Sequence, residues 1–316
     1  MGRNDIMQKE ETLADYFYQW METFKKPALA PVTYVKYQNT YRQIQYYFND
    51  ENIHSISRLS YQQALNKFAK THAKRTTAGF HKQIRAAILD AVEEGLISTD
   101  FTRKAIITGR KNKKKQKFLS YTEWQKLITY TSNNCTSSLN LIIYLSAVTG
   151  MRYAEVLGLT VADIDFKNKT VTINKTWDYK YHTGFKRTKN RSSIRTIDLD
   201  RQTLKLLRKL LVTRKLKKEV QQICVDSKGS LPVSATINRY LENLCQELEI
   251  PIISFHGLRH THASILLFKG VNLISVSKRL GHKDVTTTQS VYFHVIKEME
   301  ERETDLILSI LDEAIK

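Results

Sequence analysis

Between Ser254 and Val295 the chain reads SFHGLRHTHASILLFKGVNLISVSKRLGHKDVTTTQSVYFHV, and this stretch constrains the fold and its use more than any other. His256 and Arg259 stand three apart, which puts an imidazole and a guanidinium side by side on one face of a helix. The apolar run Ile265, Leu266, Leu267, Phe268 continues that helix, and Gly270 is the residue type that closes one. Val271, Leu273, Ile274 and Val276 predict a second amphipathic helix that Leu280-Gly281 ends just before His282. A threonine cluster (Thr286, Thr287, Thr288) then reads as a turn and a short helix, with Tyr292 ten residues beyond His282. Each of the four groups can bind, protonate or attack a phosphodiester. With 16 tyrosines in the chain a single Tyr carries little information, so the order and spacing carry the signal.

Upstream, Leu139 to Val148 (LNLIIYLSAV) is apolar almost all round and predicts a buried helix. It delivers Thr149-Gly150-Met151-Arg152, an arginine held on a rigid support as a phosphate clamp must be; the plainer alternative is a surface pair with Glu155. Ser120 with Glu123 forms a capping box at the start of another helix. Over residues 161–200 the period changes to two. Val171, Ile173 and Lys175 alternate with Thr170, Thr172 and Asn174 in one strand, and Ser193, Arg195 and Ile197 belong to a later one. Between the strands lies a basic hairpin with Lys180, Lys186, Arg187, Lys189 and Arg191. A basic helix over 202–218 and a helix from Ser234 to Leu248 follow, and Pro251 leads back to the opening stretch. Ile296 to Lys316 is amphipathic, with Met299, Leu306, Ile307, Ile310, Leu311 and Ile315 among acids.

The amino-terminal third has a different character. Residues 1–10 are a polar tail. Leu13, Tyr16, Phe17, Trp20 and Phe24 fall at helical spacing until Pro27 and Pro31 break it, and Thr33 is placed to cap a second helix. Its stripe of Tyr34, Tyr37, Tyr41, Ile44 and Phe48 suits a helix core better than a base-stacking platform. Ser60 opens a third helix and Thr76 or Thr77 a fourth, ending near Gly95. Thr102 to Lys117, with Lys111, Lys113, Lys114, Lys115 and Lys117, has no apolar period and reads as a linker. A solvated tether and a basic strap that neutralises phosphates are the two readings of this run, and the strap is preferred. The expected organisation is a tail (1–10), a helical domain (11–108), a basic linker (109–118) and a mixed α/β domain (119–316) ending in a tail helix over about 296–316.

At 316 residues two domains are the starting expectation. Fifty Lys plus Arg against 31 Asp plus Glu give a formal charge of +19, and a polyanion partner follows, nucleic acid first. No apolar run approaches a membrane span, and the amino terminus lacks the apolar core of a secretion signal. Cys135, Cys224 and Cys245 are scattered and read as reduced thiols of a cytoplasmic protein. His256, His260 and His262 offer a rival metal reading, but no H-E-x-x-H and no completing Cys or Asp accompany them, so no metal is expected.

The whole set resembles the tyrosine recombinases, the phage-integrase family. The carrying residues are His256-Gly257-Leu258-Arg259-His260-Thr261, Leu280-Gly281-His282, Tyr292-Phe293-His294, Thr149-Gly150-Met151-Arg152, and Lys189 in the hairpin before S-I-R-T-I. The match covers about the last two-thirds of the chain. Asn190 and Asp198 depart from the family's usual Thr and Pro, which leaves Lys186 open as the alternative to Lys189. The resemblance implies a mainly α fold with a small β-sheet: a helical core-DNA-binding domain that clamps DNA, and a mixed α/β catalytic domain. It implies Tyr292 as nucleophile, Arg152 and Arg259 as phosphate clamps, Lys189 as general acid, His256 to take the tyrosine proton, His282 on the phosphate and Glu155 as support. Lys111, Lys113, Lys114, Lys115, Lys117, Lys186, Arg187 and Arg191 are the expected DNA contacts. Two arginines and a lysine replace the charge of metal ions, and a covalent intermediate needs no ATP, so no cofactor is expected.

The implied activity is site-specific recombination of double-stranded attachment sites through a 3′-phosphotyrosyl intermediate and a Holliday junction. It would act in the cytoplasm as a tetramer joined through the carboxy-terminal tail, helped by a DNA-bending protein or an excisionase. Integrases of phages and integrative conjugative elements are the nearer resemblance. Alternatives are a chromosome-dimer resolvase, a type IB topoisomerase-like enzyme, and a DNA-binding regulator with a dead site. The stretch before Glu11 is too short for the arm-binding domain many integrases carry, so a short relative or a truncated chain is expected.

Overall fold

The computed structural model describes residues 11–111, 116–188, 190–216, 220–290, 292, 308, 311 and 313. The chain divides into two compact units, Met1–Lys114 and Lys115–Lys316.

The described residues of the first unit form four α-helices. Helix α1 (Leu13–Trp20) starts at Thr12, whose hydroxyl accepts from Asp15 N at 3.0 Å, and runs into a wider π turn over Met21–Lys25. Pro31 does not break α2 (Pro31–Phe48) but opens it, because a proline at the first helical position gives up an N–H that has no helical partner. Helix α3 (Arg58–Thr71) is capped reciprocally by Ser57 and Ser60, and α4 (Lys74–Glu93) follows. Tyr34, Ile44 and Phe48 of α2 are buried and Tyr37 and Tyr41 pack against the same core, with Phe17, Leu65, Phe80 and Ile84, so the tyrosine stripe is core. Trp20 Nε1 donates to Asp90 at 2.6 Å, which fixes α1 against α4. The segment after this core stays attached at its start: Arg110 N donates to His72 O at 2.7 Å.

The second unit surrounds a buried helix, α6 (Ser138–Thr149), in which every residue from Asn140 to Ala147 is buried. Helix α5 (Tyr121–Asn133), capped by the Ser120–Glu123 box, and α10 (Phe255–Phe268) pack against it. The short helix α7 (Tyr153–Leu157) begins immediately after Arg152. The predicted single strand over 170–175 is interrupted at Asn174. Strands β1 (Ile164–Asp165), β2 (Thr170–Ile173) and β5 (Arg195–Asp198) form one antiparallel sheet, while β3 (Lys175–Trp177) and β4 (Phe185–Arg187) form a separate hairpin. In the β2–β5 register Val171 opposes Ile197 and Ile173 opposes Arg195. Ser193 lies in a 3₁₀ turn before β5, not in the strand. Helices α8 (Arg201–Thr213), α9 (Ser234–Glu247) and α11 (Leu273–Leu280) complete the named elements, and residues 285–290 are helical. Leu119 is 1% exposed, and its N–H donates to Thr261 Oγ1 of α10 at 2.9 Å, so the entry to this unit is stitched to that helix. Among the described residues no helix is long and apolar enough to cross a membrane.

Candidate active site

Helix α10 supplies most of the site. Ser254 caps it by accepting from Gly257 N at 3.3 Å, and the helical repeat then sets His256, Arg259, His260 and Ala263 along one edge while Leu258 faces the core. Arg259 is 3% exposed. Its Nη1 donates to Gly150 O at 2.8 Å and its Nη2 to Leu280 O at 2.7 Å. One guanidinium therefore ties the turn after α6 to the turn after α11. Its pKa is pushed down to about 9, by burial first and then by Arg152, with Glu155 opposing. An arginine remains charged at neutral pH under that shift, and the two named bonds use two of its five N–H groups.

Arg152 stands between α6 and α7. Its Nη1 donates to Glu155 Oε1 at 2.7 Å, its backbone N–H to Glu155 Oε2 at 2.9 Å and its Nη2 to Gly281 O at 3.4 Å. Its side chain is about a third exposed (37%), unlike Arg259, and can reach a ligand. Glu155 is not a surface partner; it is 1% exposed and bridged from the far side by Arg195 at 2.9 Å. Burial alone would raise the Glu155 carboxyl, but the hydrogen bond and charge of Arg195, with Arg152 beside it, hold it below the usual carboxylate range. His282 follows Gly281, and its Nδ1 lies 2.7 Å from Thr288 Oγ1, a fully buried hydroxyl. Burial, then Arg259, Arg152 and Arg195, press its pKa down to about 4, so the ring is neutral at pH 7.

Tyr292 is 2% exposed and packs with Ala263, Leu267, Val276 and Leu280. Its hydroxyl lies 3.0 Å from Nδ1 of His260, not against His256. His256 is exposed at the start of α10, with its ring edge-on to His260 at 4.7 Å between centroids. Desolvation, Arg259 and Arg152 lower its pKa. Burial pushes the Tyr292 phenol up to about 12, with Arg259 opposing, so the hydroxyl holds its proton at neutral pH. His260, lowered to about 4 by burial and then by His256, Arg259 and Lys117, is a neutral ring able to accept it.

Arg152, His256, Arg259, His282 and Tyr292 are thus gathered around the α10 face. Lys189, Lys113, Lys114 and Lys115 lie outside the described residues, as do the Arg191 side chain and nearly all of the tail from Ile296. Lys186, the alternative hairpin lysine, pairs with the buried Asp178 at 2.7 Å. Lys111, Lys117, Lys186 and Arg187 are exposed. Among the described residues no three His, Cys, Asp or Glu are grouped to hold a metal. His262 is instead spent on structure, with Nδ1 3.2 Å from Ala147 O and Nε2 accepting from Arg279 Nε at 3.1 Å. The sequence assigns no role in the site to His260, Arg195 or Thr288: His260 stands there in a motif and a histidine cluster, Thr288 in a threonine turn and Arg195 in a strand.

Known proteins resemble this chain in sequence and in fold. The chain matches the phage integrase family over residues 117–299 and an amino-terminal SAM-like domain of phage integrases over residues 12–69. It is 31% identical over 209 residues to the integrase of Staphylococcus phage L54a, covering 60% of this chain and 59% of that protein. It is 30% identical over 217 residues to the ICEBs1 integrase of Bacillus subtilis, covering 62% of this chain and 56% of that protein. In both cases the matched part is less than two thirds of the relative's own length. The fold is similar to the Tn1549 transposon integrase solved with transposon right end DNA (TM-score 0.72, 16% identity, 92% of this chain and 99% of that one). It is also similar to a lambda integrase tetramer solved on a Holliday junction (TM-score 0.70, 18% identity, 90% and 78%).

Proposed function

Because the chain belongs to the phage integrase family, we propose that it is a tyrosine-class site-specific recombinase that integrates and excises a mobile element. Tyr292 Oη attacks a backbone phosphorus, the bond from phosphorus to the 5′-oxygen breaks, and a 3′-phosphotyrosyl link forms. Attack by the 5′-hydroxyl of another strand reverses these events and exchanges the strands. Arg152 and Arg259 offer forked donors to the non-bridging oxygens, a geometry a lysine cannot reproduce. His282 adds a hydrogen bond there, and Lys189 gives a proton to the leaving oxygen. The phosphodiester energy is kept in the covalent link, so neither cofactor nor metal enters the scheme.

The observation that carries this reading is the pair of hydrogen bonds that Arg259 donates to Gly150 O and Leu280 O. It brings the Arg152 turn and the His282 turn to one helix, whose next residue holds the Tyr292 hydroxyl. Double-stranded attachment sites are the proposed substrate, reached in the cytoplasm, with the exposed Lys111, Lys117, Lys186 and Arg187 on phosphates. Assembly to a tetramer through the tail is proposed by likeness to the lambda integrase tetramer, and a DNA-bending protein or excisionase as helper.

Denaturing capture tests it. The protein and a Tyr292→Phe control are expressed in cells carrying the element, lysed in detergent and purified, and attached DNA is sequenced. DNA bound only to the unmutated chain and piled up at one pair of matching sites is the expected result. Adducts scattered over the genome would instead indicate a topoisomerase-like enzyme, and none at all a DNA-binding regulator.

A further inference from the structure

The carboxylate of Glu155 is shared between two arginines. Oε1 accepts from Arg152 Nη1 at 2.7 Å and from Arg195 Nη1 at 3.2 Å, while Oε2 accepts from Arg152 N and Arg195 Nη2, each at 2.9 Å. A carboxylate has about four lone-pair sites, so this one is saturated. Arg195 is itself buried, its side chain 6% exposed, and reaches in from the start of β5. Its Nε donates to Arg279 O at 2.7 Å, and its Nη1 donates also to Ser193 O at 3.0 Å. Two residues on, Gly281 has φ +68, and a Cβ there would meet Cδ and Nη1 of Arg195 at 3.0 Å. The carbonyl of Gly281 in turn accepts from Arg152.

Charge decides what this network does. Arg152 facing Glu155 alone is a neutral pair, and a phosphate arriving beside a buried neutral pair gains little. With Arg195 behind the carboxylate the three groups sum to plus one, and that charge is exposed only at Arg152. Arg195 cannot deliver it directly, since its named bonds run to Glu155, Ser193 O and Arg279 O. We propose that Arg195 is a positioning residue for DNA cleavage: it neutralises Glu155 so that Arg152 keeps its charge for the scissile phosphate, and it holds the Leu280-Gly281-His282 turn against Arg152. This rests on the recombinase reading above.

The test uses the full chain and a duplex bearing the site recovered by denaturing capture, nicked beside the cleavage point so that the covalent product accumulates. Arg195→Gln, Glu155→Gln and the double variant are compared with the unmutated chain for adduct rate and for binding of the same duplex. Arg195→Gln is expected to form adduct about a hundredfold more slowly, the scale of a lost transition-state donor, with binding changed less than about threefold. The double variant, which removes the unbalanced carboxylate as well, is expected to run at least about tenfold faster than Arg195→Gln. A residue that only braced the fold would leave the double variant no faster than the single one, and that result overturns the proposal. So does an unmutated rate in Arg195→Gln. If Arg195→Gln loses its cooperative melt, Arg195→Lys replaces it. That variant keeps the charge without the fork and is expected about tenfold slow; a full rate overturns the proposal. Absence of adduct from the unmutated chain refutes the recombinase reading itself and takes the proposal with it.

Discussion

The phenolic oxygen of Tyr292 lies 3.0 Å from Nδ1 of His260, on the helix position directly after Arg259. On the proposed recombinase reading, a neutral imidazole at that distance receives the proton that the phenol, raised to about 12, gives up as it attacks. His260→Ala is therefore expected to slow single-turnover adduct formation by about a hundredfold while leaving DNA affinity unchanged. An undiminished rate would assign the contact to the DNA-free protein alone.

Arg259→Lys separates binding from chemistry. One ammonium cannot reach Gly150 O and Leu280 O together while presenting a fork to phosphate, and it leaves a buried acceptor unpaired. Duplex binding should persist, cleavage should fall by at least about a hundredfold, and urea unfolding should show a loss of about 2 kcal/mol. Cleavage at the unmutated rate would remove Arg259 from the site.

Acid should weaken the fold through its buried histidines. His260 and His282 are lowered to about 4 and His262 to about 3, burial being the first cause in each, against about 6.5 in an unfolded chain. Between about pH 6.5 and 4 the unfolded chain binds more protons, so stability is complete above that window and is lost as pH falls through it. Melting temperature followed from pH 7.5 to 4.5 should drop by roughly 10 °C. His260→Gln should flatten the slope; an unchanged slope would show that these rings do not govern it.

Gly150 ends α6 at φ +71, where a Cβ would lie 2.8 Å from the His262 ring and from Leu280 Cδ2. Gly150→Ala should cost about 3 kcal/mol, from a left-handed backbone and an overfilled contact together. Calorimetry decides it, and a loss below about 1 kcal/mol would mean that the turn relaxes freely.

The parts of this molecule legible in its sequence are those set by local chemistry. The Ser120–Glu123 capping box, the almost wholly apolar α6 and the glycine that follows it are each decided within a few residues. The site's motifs were legible for a related reason, since helix and turn spacing place His256, Arg259 and His282. What stayed hidden depends on partners far along the chain. Arg195 meets Glu155 forty residues away, and Arg259 bonds carbonyls that every residue type possesses. Pro31 misled because a proline that ends one helix and a proline that starts the next look alike in sequence. His260 was read within a histidine cluster, whereas the tertiary contact with Tyr292 gives it a separate part.

The bond from Leu119 N to Thr261 bears on how this protein can be cut and spliced. Thr261 also donates to Gly257 O, so the segment entering the second unit is keyed to the same helix that carries His256, Arg259 and His260. A fragment begun at Ser120, the obvious helix start, would discard that key, and its poor activity would report a damaged edge and not weak chemistry. Chimaeras that exchange amino-terminal units between relatives should place their junction ahead of residue 117, so that each carboxy-terminal unit travels with its own latch.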